Sequence, residues 1–171
     1  MIPLNYVFWL YVLLFGIIGA MRGWAKEMLV SFSAILALFI IVLAEKFLGK
    51  LEPDVQFWAQ TLIIGLLAFF GYKSPSIKML PAAQLSRKGL QSSLFGFVIG
   101  LINGYLIVGS IWFYLDKAAY EPLSVFIKPP PKDVKRMIDA MLKSMPPALL
   151  KGYGLYVMVA IAFVFLVVAF V

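Results

Sequence analysis

Residues 89–116 read GLQSSLFGFVIGLINGYLIVGSIWFYLD, and this stretch decides the fold. As a helix it is long enough to cross a bilayer. Ser92, Gly96, Gly100 and Gly104 recur every four residues. In a helix that spacing puts them on one face. The face is a groove without side chains, a glycine zipper against which another helix can lay its backbone. The opposite face carries Leu94, Phe97, Val98, Leu101, Tyr105 and Val108, which suit lipid or bulky neighbours. Asn103 lies near the middle, beside the glycine edge. An amide at that depth needs a partner, and an interhelical hydrogen bond is expected before a substrate or ion ligand.

Working outward, the rest of the chain has the same character. Hydrophobic residues make up 63% of it and charged residues 13%. Soluble domains are about half apolar and about a quarter charged. The bilayer must therefore be the solvent for much of this surface. The fold class that follows is an all-α integral membrane protein, with about five transmembrane helices plus one interfacial amphipathic helix.

Leu4 to Met21 is the first span, with Tyr6, Trp9 and Tyr11 crowding one end as in an aromatic belt. No basic n-region or small-x-small cleavage site accompanies it, so it is read as a retained span. Gly16 with Ala20, and Gly19 with Gly23, form small-residue pairs for close helix approach. The segment from Arg22 to Glu27 reads as a short turn, which makes the first two spans antiparallel neighbours. Within it Arg22, Trp24 and Lys26 are read as interface anchors, with pairing of Arg22 to a carboxylate elsewhere as the alternative.

Met28 to Ala44 is the second span; its Ser31 and Ser33 can bond back to their own helix carbonyls. Phe57 to Tyr72, extended back to Val55, is the third. The loop from Lys73 to Lys88 has four cations and no acid, and is broken by Pro75 and Pro81.

After the fourth span, residues 117–151 are the one substantial extramembrane stretch. Pro129-Pro130-Pro131 is stiff and extended. Beyond it Val134, Met137, Ile138, Met141 and Leu142 make an apolar stripe at helical spacing, while Lys132, Lys135, Arg136, Asp139 and Lys143 take the other face. Pro146-Pro147 stops this amphipathic helix. The stripe serves either membrane docking, with Lys135, Arg136 and Lys143 toward anionic headgroups, or docking to a partner protein. Leu155 to Val171 is the last span. The chain thus divides into a four-span membrane core over 1–116, a Pro-rich linker and interfacial helix over 117–151, and an additional transmembrane helix over 152–171.

Five spans put the two ends on opposite sides of the membrane. The loops on one side hold six cations and those on the other nine. Plain counting favours the nine as cytoplasmic, but most of them sit in one long loop that can translocate whole. The compact, acid-free third loop argues the other way and favours an outside N-terminus.

Function is narrowed mainly by exclusion. The chain has no cysteine and no histidine. It therefore has no disulfide, thiolate site or cysteine nucleophile, and it lacks the commonest general base and metal ligand. The eight acids fall at span ends or in loops, with no catalytic spacing. No phosphate-binding loop or nucleophile elbow is present. The net charge of +7 points to anionic headgroups rather than nucleic acid. No enzyme activity and no cofactor are expected. What remains is a structural or accessory component, with a small oligomeric transporter or channel as the alternative.

Two segments together resemble the colicin V production protein (CvpA) family of bacterial inner-membrane proteins. One is Asn5-Tyr6 leading to Arg22-Gly23-Trp24 with Glu27 behind it. The other is Gly96-xxx-Gly100-xx-Asn103-Gly104-Tyr-Leu-Ile-Val, continuing to Phe113-Tyr114-Leu115-Asp116. The likeness covers about residues 2 to 145. It implies a multi-pass protein of the bacterial cytoplasmic membrane, linked to colicin V production or export and envelope maintenance. The small-residue faces, the interfacial helix and the added span point to membrane-protein partners or self-association. Asn5 stands where the family has Asp and Asn103 where it has Arg, so both family charges are neutral amides here. The span from Leu155 is extra to the family's four.

Overall fold

The computed structural model describes residues 4–73, 89–127, 129–150 and 152–170; side chains of residues 132, 133 and 165–170 are outside the description. The third loop, with Lys78, Arg87 and Lys88, lies outside the described residues. What is described is helical, with no strand among the described residues.

The first helix, α1, is Leu4–Arg22, and α2 is Trp24–Leu43. A single residue joins them. Gly23 holds φ at 83°, a left-handed backbone in which a Cβ would be strained. Its amide donates to the Gly19 carbonyl at 2.9 Å, closing α1. A short helical turn, α3 (Glu45–Leu48), follows. Helix α4, Pro53–Lys73, opens on a proline whose missing N–H costs nothing there. Helix α5, Leu90–Lys117, is the long glycine-edged span. These four long helices are apolar enough to cross a membrane.

Helix α5 is the centre of the bundle and touches α1, α2 and α4. Its contact with α1 is the most extensive among the described elements. Side chains added at Gly96 and Gly100 would run into the carbonyls of Gly19 and Phe15, and one at Gly104 would meet the Val12 Cα at 2.9 Å. The order of these approaches runs oppositely along the two chains, so α1 and α5 are antiparallel. Gly16 and Gly19 face the same seam, and the Gly23 Cα lies 3.0 Å from where a Gly96 Cβ would sit. Ala20 is only partly buried, and so is Ser92.

The expected pairing of the first two spans needs correction. They are antiparallel, but α1 makes little contact with α2. The glycine seam draws α1 onto α5, while α2 packs on α4 and α5.

Helix α5 ends with Ala119 and Tyr120 at φ of 52° and 62°. The Tyr120 amide reaches back to the Leu115 carbonyl at 3.0 Å, and a single 3-10 turn, Glu121–Leu123, follows. The amphipathic helix α6, Lys132–Lys143, does not keep its apolar stripe for the membrane alone. Ile138 and Leu142 are buried in the protein core, and Met141 packs against it. Val134 and Met137 stay 38% and 50% exposed. The elbow after α6 docks deeper. Met145 and Pro146 are buried. The Met145 sulfur sits 2.9 Å from where a Gly109 Cβ would be, and Phe8 of α1 lines the same spot. Gly109 is about two turns inside the end of α5, roughly 12 Å. The short helix α7, Pro146–Leu149, begins at this elbow. The last helix, α8, is Tyr153–Phe170 and packs on α2, where Tyr156 meets Phe39 edge-on.

Candidate functional site

The corner at Gly23 starts α2 at Trp24, earlier than its apolar run suggests. That shift draws Glu27 out of a turn and into the first turn of a helix, where it is fully buried at 0% exposure. Glu27 thus lies at a span end, as the sequence places it, but it is buried rather than facing the interface. The positive end of α2 favours a carboxylate in this position.

Four helices converge on Glu27. Arg22, at the end of α1, donates from Nη1 to Glu27 Oε1 at 2.9 Å. Its Nη2 donates to the Tyr72 carbonyl of α4 at 3.1 Å, and its guanidinium lies 4.3 Å over the Tyr72 ring. Asn103, at 0% exposure in α5, donates from Nδ2 to Glu27 Oε2 and to the Glu27 carbonyl, both at 2.9 Å. The Tyr72 hydroxyl makes a long 3.5 Å contact with Oε2. One turn along α2, Ser31 donates to Asn103 Oδ1 at 2.6 Å, and its hydroxyl is 3.3 Å from the Glu27 carbonyl. Ser33, by contrast, donates within its own helix, to the Leu29 carbonyl at 2.9 Å.

A buried charge is tolerable only when paired and hydrogen-bonded. Both Glu27 oxygens meet donors, and both ends of the Asn103 amide are engaged. The arrangement is a closed polar clasp that ties α1, α2, α4 and α5 in one register. Arg22 keeps 20% side-chain exposure, whereas Glu27 has none.

Of the anchoring residues, Arg22 turns inward to this clasp. Trp24 is partly buried, and Lys26, Lys135, Arg136 and Lys143 are exposed. Asn5 and Asn103 do not form a pair. Asn5 sits in the first turn of α1, and Phe8, one turn on, already packs beside Trp112 near the far end of α5.

Sequence reasoning missed Glu27 and Tyr72 as members of the site. The available signal was the Glu27–Ser31 spacing, which sets two polar groups on one face of α2. Among the described residues no group of three or more acidic residues is placed to hold a metal ion. No protein-family model, curated protein or solved structure matches the chain.

Proposed function

We propose that the chain is a non-enzymatic membrane protein that acts as a structural or accessory component, assisting export or envelope processes or bracing a larger complex in the bacterial cytoplasmic membrane. The observation that carries this reading is the closed clasp. Its charged and amide groups are spent on one another across four helices, as befits a fixed scaffold. A resemblance to the CvpA family supports it too. The two motifs that carry that resemblance, Arg22 to Glu27 and Gly96 to Gly104, meet in this clasp and its glycine seam. The partners on this reading are other membrane subunits or further copies of the chain, within anionic lipid.

A transporter or channel is the second reading, and one observation favours it. Glu27 is an ionisable side chain buried within a membrane helix, a position that often marks an ion or proton path. Purification of the native protein in mild detergent, with co-purifying proteins identified by mass spectrometry, separates the two. Stoichiometric partner subunits support the accessory role. A homo-oligomer without partners, whose solute flux in liposomes is abolished by Glu27→Gln, overturns it.

A further inference from the structure

An apolar groove of about 350 Å³ runs along the outer junction of α1 and α5, lined by Trp9, Val12, Leu13, Leu101, Ile102 and Tyr105. Trp9, Leu13 and Ile102 are half exposed, so the groove opens away from the bundle. Its wall is fixed by rings: Phe8 packs against Trp9, Tyr105 and Trp112 with centroids 5.0, 6.0 and 5.4 Å apart. In a membrane such a groove meets acyl chains. What distinguishes it is its rim. Tyr105, a lining residue, donates its hydroxyl to the Ser144 carbonyl of the docked elbow. The preceding residue is Lys143, exposed, and Arg136 lies two turns earlier on the same face of α6, also exposed. Thus the Tyr105 end of this apolar groove is bonded to an elbow whose preceding residue, Lys143, is an exposed cation, with Arg136 on the same face of α6; both side chains are long enough to reach toward the headgroup layer.

We propose that groove and rim form a binding site for one anionic phospholipid, with an acyl chain between Trp9 and Ile102 and its phosphate at Lys143 and Arg136. The site does not depend on the accessory or transport reading. It is tested by native mass spectrometry of the full chain in detergent, with phosphatidylglycerol or phosphatidylcholine of identical chains added. A one-to-one phosphatidylglycerol adduct should survive activation that strips phosphatidylcholine. Lys143→Gln should lower its retention about fivefold, the effect of one basic side chain at a headgroup layer. Leu13→Trp, which fills the groove from a lipid-facing position, should abolish the adduct at unchanged melting temperature. Ile102→Trp, from the other wall, serves if Leu13→Trp does not fold. Equal retention of the two lipids overturns the proposal. So does indifference to either the charge or the groove substitution, and so does a dimer that excludes lipid.

Discussion

Gly100→Ala puts the α1–α5 seam to a test of sign. A methyl at Gly100 would collide with the Phe15 carbonyl and lie 3.0 and 3.1 Å from the Cα atoms of Gly16 and Gly19. Carbon atoms prefer about 3.5–4.0 Å. The obstructing atoms are backbone, so no rotamer change relieves them, and α1 must retreat by roughly 0.5–1 Å. A gap of that size forfeits about a quarter to a half of the dispersion energy of each contact along the seam. Overpacking of this kind costs about 1–3 kcal/mol. Against it stands the better helix propensity of alanine, about 1 kcal/mol. The net expectation is a loss of about 0–2 kcal/mol. Gly65 of α4 is the internal control, because a methyl there has nothing within 4 Å. Gly65→Ala should be neutral or stabilising by up to about 1 kcal/mol. Unfolding in detergent by titration with sodium dodecyl sulfate reads both variants on one scale. If Gly100→Ala is as stable as Gly65→Ala, the glycine face is not a close-packed seam and the central place of α5 is wrong.

The clasp makes a non-additive prediction. Arg22→Ala strands a buried carboxylate and should cost about 3–5 kcal/mol in the same titration, whereas Arg22→Met combined with Glu27→Leu should recover most of it; a double variant as weak as the single one would show that the ion pair is not the critical contact. Ala119→Gly should raise stability by about 1 kcal/mol, because φ is 52° there and only glycine adopts that backbone without penalty; a loss on thermal melting would refute the strain. Burial pushes the Tyr120 phenol from its ordinary 10.0 up to about 12, although the hydrogen bond that Trp112 Nε1 donates to it at 3.2 Å works the other way. A raised folded value means stability is fully present below pH 10 and is lost as pH climbs from 10 toward about 12; alkaline denaturation followed by phenolate absorbance should show this loss, and Tyr120→Phe should remove it.

Hydropathy and helix length located the long helices well, because a bilayer demands a nearly fixed run of apolar residues. The expected Leu4–Met21 is Leu4–Arg22 in the structure, and Gly89–Asp116 is Leu90–Lys117. The four-residue recurrence of Gly96, Gly100 and Gly104 was legible for the same reason that it packs: period matches helix geometry. The start of α2 was not legible. Charged residues interrupt an apolar run, so Lys26 and Glu27 read as turn, whereas one glycine at positive φ suffices to reverse the chain. That difference of four residues, Met28 against Trp24, separates an anchoring loop from a buried site. The docked elbow was also hidden. Its receptor is Gly109, which stands off the four-residue register and contacts Met145 from a segment far along the chain. An amphipathic stripe does not tell which of its apolar residues face protein and which face lipid, and here Ile138 and Met137 part ways.

The one-residue corner at Gly23 bears on how the chain enters the membrane. Arg22 and Glu27 are five residues apart and already bonded across that corner. The carboxylate and its counter-ion are therefore both carried by the first two helices, which are synthesised before α4 and α5. A lone charge adds about 2.5–3.5 kcal/mol to insertion at a helix centre and less near an end such as the first turn of α2; a counter-ion five residues away lowers that cost. Tyr72 and Asn103, synthesised later and in that order, supply the remaining contacts of the polar core.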